Sequence, residues 1–237
     1  MCNFLSGVVT AERHPRVLCV DLHHHDATVD YFRLEPETYR EWEWTREDSG
    51  ESLDVRAAPG ENPSVLKSAI LAKYPSRLDC LNECIQQIAE HGGSLYLSSI
   101  ESADGLVLPK TITGNLAIRC LQFATGVPFP ELIGGALDLH SLKSAANLTL
   151  PESIGGSLNL SSLESADGLT LPKWVGGSLN LASLRSADGL VFPKWVGDTL
   201  HLESLESADG LVLPEAIGGR VFLPLRVRAE LEAREVN

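Results

Sequence analysis

The sequence predicts an α+β N-terminal domain followed by a repeat β-solenoid of 21-residue coils, six full coils plus a partial seventh. Three observations carry that expectation. One phrase recurs without insertion over residues 92–112, 113–133, 134–154, 155–175, 176–196 and 197–217, and a further copy begins at Gly218 and stops after Leu223. A fixed period of this length marks units that bury their apolar faces only by stacking on one another. Each copy also carries two apolar pairs of L-x-L type, at positions 4 and 6 (Leu95 and Leu97 in the first copy) and at positions 15 and 17 (Leu106 and Leu108). Alternation with period two places both members of a pair on one side of a strand, so two short strands per coil are expected. Finally, position 12 is Ala and position 18 is Pro in every copy, and position 14 is Gly in five copies and Asn147 in the other. Ala implies a tight corner, and Gly or Asn is the residue that accepts positive φ there. The proline is expected to close the second strand and open a helical turn reaching Ile112 and its equivalents.

The elements in front of the repeats follow from local pattern. Apolar runs at 3–10, 16–22, 28–34, 40–45 and 52–56 are dense enough for strands, with a polar turn at 47–51. Pro59-Gly60-Glu61-Asn62-Pro63 breaks that pattern before a helix over 64–74. A second helix is expected from the N-cap Ser76, through Leu78, Leu81, Ile85 and Ile88, to the stop at Gly92-Gly93. It lies directly before the first coil and reads as the cap of the open solenoid end. After Leu223-Pro224, residues 226–236 alternate basic and acidic helix formers, which suits a second cap. The expected organisation is thus a small α+β domain over 1–91, ending in a capping helix, a solenoid over 92–223 and a C-terminal capping helix over 224–237. Two protected ends favour a monomer.

The string L-x-L-x-x-L-x-x-A-x-x-L-x-L-P-x-x-I resembles a leucine-rich repeat, and Gly-Gly-x-Leu-x-Leu resembles the single-stranded β-helix of receptor L domains. The likeness covers residues 92–223 and departs from the usual pattern in lacking an Asn ladder after the strand. Position 8 instead holds Ser99, Cys120, Ser141, Ser162, Ser183 and Ser204, a column whose hydroxyls are expected to satisfy backbone groups at that turn. The resemblance implies a binding scaffold and names no ligand. The opening MCNFLS is similar to the MC-x-F start of uncharacterised phage and bacterial proteins that carry repeats.

A formal net charge of −13 argues against nucleic acid or an anionic membrane as the direct ligand, because phosphate recognition needs clustered Lys and Arg. No apolar run approaches a membrane span, and the start lacks the basic region of a signal peptide. Five cysteines without framework spacing suggest reduced thiols and a cytoplasmic location. No nucleotide-binding glycine fingerprint, nucleophile elbow or H-E-x-x-H string occurs, so no cofactor is expected.

Candidate chemistry falls into three groups. In Asp21-Leu22-His23-His24-His25-Asp26, the side chains of His23, His25 and Asp26 could face one metal, as in the D-L-H-x-H start that this string resembles; a polar strand end is the alternative. Cys2 would become an N-terminal nucleophile after removal of Met1, or is simply a small buried residue opening a strand. The repeats vary outside the fixed letters, as a binding face does. Partner-binding candidates are Tyr96, Asp138 and His201 at position 5, His140 and Glu203 at position 7, and the adjacent pairs Lys173-Trp174 and Lys194-Trp195. The two tryptophans either form an exposed aromatic patch or pack over the proline turn.

The function expected is therefore non-enzymatic binding of a protein partner through the variable face of the solenoid. Two alternatives stand beside it. One is a small enzyme or metal-binding domain in residues 1–90 that the solenoid targets. The other is an acidic inhibitor that mimics nucleic acid through Asp104, Asp167, Asp188 and Asp209 at position 13 and Glu101, Glu164 and Glu206 at position 10.

Overall fold

The computed structural model describes residues 4–10, 17–18, 39–47, 50–59, 61–90, 92–97, 104–124, 127–146 and 148–235. Its N-terminal part is a four-stranded antiparallel sheet in the order β2-β1-β3-β4, built from Phe4–Thr10 (β1), Val17–Leu18 (β2), Tyr39–Glu47 (β3) and Gly50–Arg56 (β4). β3 and β4 form a hairpin with Trp44 opposite Leu53. Alternation along β3 sends Trp42 and Trp44 to one face, where they are buried with Leu53. Helix α1 (Pro63–Lys73) covers them with Ile70 and starts on Asn62, whose side-chain oxygen accepts from the Ser64 N–H at 3.0 Å.

Helix α2 (Arg77–Glu90) starts where the sequence predicts. Ser76 Oγ accepts from the Asp79 N–H at 3.2 Å, while the Asp79 carboxylate accepts from the Ser76 N–H at 3.2 Å and from its hydroxyl at 2.7 Å. This reciprocal cap satisfies two otherwise orphaned donors of the helix start. Ser76→Ala should therefore cost about 1 kcal/mol in urea denaturation, with activity-independent circular dichroism unchanged at rest. The helix ends at Gly92, φ 73°, with Gly93 N–H bonding Ile88 C=O and Gly92 N–H bonding Ala89 C=O, both at 3.0 Å. Cys80, Leu81, Cys84, Ile85 and Ile88 are buried; the two thiols are unbridged core residues, and Leu78 lies half-exposed over the first coil.

From residue 95 to 222 the chain is a parallel β-solenoid of about six coils. One sheet has seven strands, from Leu95–Tyr96 through Leu158–Asn159 to Val221–Phe222, in perfect 21-residue register: Leu158 pairs with Leu137 on one side and Leu179 on the other. These strands occupy positions 4 and 5, within the strand expected from the apolar pair at positions 4 and 6. The second sheet corrects the sequence reading. Its six strands, from Thr111–Ile112 to Ala216–Ile217, occupy positions 20 and 21, where a helical turn was expected, and the apolar residues at 15 and 17 lie in unassigned backbone. Most of those residues are still buried, among them Leu106, Leu108, Leu169 and Leu171, although Leu213 in the last full coil is exposed. Burial dictates the apolar letters; which backbone runs flat enough to pair with its neighbour is a separate matter, and the proline withholds a donor next to this stretch.

The corners are built by short polar side chains. At positions 11 to 15, Ser165 Oγ accepts from the Asp167 N–H at 3.1 Å and Leu169 N–H bonds Ala166 C=O at 2.9 Å, with Gly168 at φ 76° between them. The same three features recur at Ser186–Leu190 and Ser207–Leu211. A positive φ at the third residue alone is the pattern of a type II turn. The side-chain ladder between coils runs along position 3, five residues ahead of the expected serine column. Asn115 N–H bonds Ser94 Oγ at 2.9 Å, Ala136 N–H bonds Asn115 Oδ1 at 2.8 Å, Ser178 N–H bonds Ser157 Oγ at 3.0 Å, and Thr199 N–H bonds Ser178 Oγ at 3.3 Å.

Both ends are closed by helix side chains that substitute for a missing coil. At the first coil Asn82 donates to Gly105 C=O at 3.0 Å and accepts from Val107 N–H at 2.9 Å, and Gln86 donates to Val107 C=O at 3.0 Å. At the last, helix α3 (Leu225–Glu235) buries Val227, accepts Ala208 N–H on Glu230 at 2.8 Å and donates from Arg234 to Ala208 C=O at 2.7 Å. In each helix the two residues lie at i and i+4, one above the other on a single face. A continuous apolar core runs from Trp42 to Val227.

Candidate functional site

Strand geometry decides which variable side chains reach solvent. In the second sheet position 21 points inward, with Ile112, Ile133, Val175 and Val196 all at 0 % exposure, so its neighbour at position 20 must point out. Trp174 and Trp195 are accordingly 50 % and 40 % exposed, directly paired in parallel register, with ring centroids 6.5 Å apart and planes tilted by 33°. Of the two arrangements open in the sequence, the exposed patch is the one present. Leu132 extends the same column two coils earlier and is also exposed. At position 19 Lys173 bonds Glu152 of the preceding coil at 3.0 Å, and Lys194 follows it one coil later.

The first sheet carries the other candidates, and here much of the variation is structural. Asn159 Oδ1 accepts from Ser161 N–H at 3.1 Å, Asn180 Oδ1 from Ala182 N–H at 3.0 Å, and Asp138 Oδ1 from His140 N–H at 3.2 Å. Position 5 thus caps the turn that follows it, in Asx-turn fashion. An Asp or Asn as the last residue of the strand was the readable signal for this. Asp138 also accepts from Arg119 Nε at 2.9 Å and lies 3.3 Å from His140 Nδ1. Three coils on, His201 Nδ1 is 2.7 Å from Glu203, and its ring stacks on Phe222 with centroids 5.0 Å apart. Tyr96 accepts from Asn115 Nδ2 at 3.3 Å near the opposite end.

The candidates therefore do not form one constellation. Asp138 and His140 are neighbours, as are His201 and Glu203, but the two pairs are about 15 Å apart at the usual strand spacing. The tryptophan pair with Lys173 and Lys194 occupies the other sheet, around the Gly-Gly corner. Cys2, His23, His25 and Asp26 lie outside the described residues. Among the described residues no group of three or more His, Cys, Asp or Glu side chains is placed to hold a metal ion, and no helix is long and apolar enough to cross a membrane.

The acidic column is interrupted. Arg185 reaches Glu164 in the coil before at 3.2 Å and Glu206 in the coil after at 3.1 Å, and the hydrogen bonds to Glu206 and Glu164 raise its pKa above the ordinary value. Asp209 is paired with Arg234 of α3 at 2.6 Å. What the surface offers chemically is a pair of exposed indoles beside two lysines.

We found no match to this chain among protein families, among curated proteins or among solved structures.

Proposed function

We propose that the chain is a non-enzymatic protein-binding scaffold whose contact surface is centred on Trp174 and Trp195. The observation that carries this reading is the exposure of both rings in adjacent, hydrogen-bonded coils. A rigid sheet holds the two indoles at fixed spacing, so little conformational entropy is lost when a partner covers them. Tryptophan is among the residues that most often dominate interface energetics, and both rings stay exposed here. The likeness of the repeat phrase to leucine-rich repeats points the same way, since those scaffolds bind through residues that the repeat leaves free. Closed ends favour a monomer that meets its partner through a face. The unbridged thiols of Cys80 and Cys84, one helical turn apart, suit a reducing compartment such as the cytoplasm.

Affinity capture from host lysate with tagged full-length chain, read by mass spectrometry, is the direct test. Trp174→Ala/Trp195→Ala should lose the captured partner, with an affinity drop of at least about thirtyfold, because truncating even one anchor costs roughly 2 kcal/mol. Thermal unfolding of the double variant should stay cooperative, because the buried side chains at position 21, Val175 and Val196, are untouched. A double variant that captures the same proteins at wild-type strength would refute the reading.

A further inference from the structure

A groove of about 430 Å³ opens between the fourth and fifth coils, on the side where positions 15 to 17 run without paired strands. Leu169, Leu171 and Phe192 form its floor, each nearly buried, and Val191 beside them is 81 % exposed. Lys173 and Lys194 line its rim. Thr149 and Thr170 bridge the third and fourth coils at position 16, whereas among the described residues no bridge joins Thr170 to Val191. The corner above is open as well: a Cβ on Gly189 would meet nothing within 4 Å, but on the equivalent Gly210 it would lie 2.7 Å from Asp188 Cα.

The groove's chemistry selects its occupant. Its floor is apolar, and its rim is cationic in a chain of net charge −13. Lys173 leans on an exposed glutamate, a contact readily exchanged, and among the described residues Lys194 has no ion pair. Two cations are too few for a nucleic-acid backbone, which the surrounding acids would repel. The first coil shows how the same backbone is addressed: Gly105 and Val107, equivalents of Gly189 and Val191, bond the carboxamide of Asn82. An amide group therefore fits this corner, and the main chain of an extended segment supplies amides at regular spacing.

We propose that this groove binds an extended acidic segment of a partner protein, with one apolar side chain seated against Val191 and Phe192 and carboxylates facing Lys173 and Lys194. The proposal rests on the protein-binding reading above and specifies the partner's chemistry. Burial of the anchor supplies affinity, and the two lysines select against basic segments.

The test is selection of random phage-displayed peptides on the full chain, followed by fluorescence anisotropy with the synthetic winners. Enriched peptides should carry an aliphatic or aromatic residue flanked by Asp or Glu. Val191→Asp and Lys173→Glu/Lys194→Glu should each weaken them about tenfold or more, while Lys173→Arg/Lys194→Arg retains binding. All these side chains are exposed, and circular dichroism checks that the fold persists. An empty selection, winners without acidic residues, or winners indifferent to charge reversal would each overturn the groove. Winners that lose binding only in Trp174→Ala/Trp195→Ala would overturn the groove and leave the tryptophan surface standing; winners lost in neither set would overturn both.

Discussion

Gly176→Ala is expected to destabilise the solenoid by about 3 kcal/mol or more, the upper range for forcing atoms into packed space. A Cβ there would overlap the carbonyl oxygen of Gly155 and sit 2.8 Å from its carbonyl carbon, both backbone atoms of the preceding coil. Gly155, Gly197 and Gly218 face the same obstruction from Gly134, Gly176 and Gly197. Relief requires the coils to part, and that would stretch the bond from Gly176 N–H to Ile154 C=O, now 2.9 Å. Thr113 occupies this position in the second coil, where the residue beneath is Gly92, ending α2 at φ 73° instead of continuing a strand. Gly168→Ala provides the contrast. Its site has room, with the nearest atom 3.6 Å away, so the cost is only that of an L residue in positive φ, about 1–2 kcal/mol. Urea denaturation of the two variants orders the effects. Equal losses would mean that the Gly-Gly spine is not set by coil contact.

Removal of residues 225–237 is expected to convert a monomer into self-associating species, read by size-exclusion chromatography with light scattering. The helix buries Val227 and occupies the N–H and C=O of Ala208, a residue with 0 % exposure. Without it the last coil presents a parallel edge to any similar edge in solution. Because the truncation also removes core contacts, Glu230→Ala/Arg234→Ala separates the two effects. This pair keeps the helix but leaves two backbone groups of Ala208 without their side-chain partners, at a cost of about 1–3 kcal/mol for each buried group left unpaired. A soluble, monomeric truncation, or a double variant with unchanged stability, would rule out the capping role.

How much of this was legible beforehand differs between elements. The period, the register and the first strand of each coil were readable because a repeat has one way to stack its own leucines. Both caps were readable in place and length, from Ser76 to Gly92-Gly93 and after Pro224, yet the pairs that close the ends, Asn82 with Gln86 and Glu230 with Arg234, were not. Their role depends on which backbone groups the terminal coil leaves open. The serine ladder was expected at position 8 and runs along position 3, because a hydroxyl is informative only once the neighbouring coil's N–H is located. Position 5 varies between coils as a binding face does, and the structure adds that Asp138, Asn159 and Asn180 there cap their own turns.

By itself, then, the amino-acid sequence determined that this chain stacks 21-residue coils with leucines inward and glycine at the left-handed corner. Those features follow from periodicity and from local φ preference, which act within a single coil. Only the tertiary structure decided that the second strand lies at positions 20 and 21, that Trp174 and Trp195 consequently face solvent, and that a lysine-rimmed groove parts the fourth and fifth coils. Burial is a property of the side chain and can be read as a pattern. Pairing is a property of two backbones brought side by side, and it exists only after the coils have stacked.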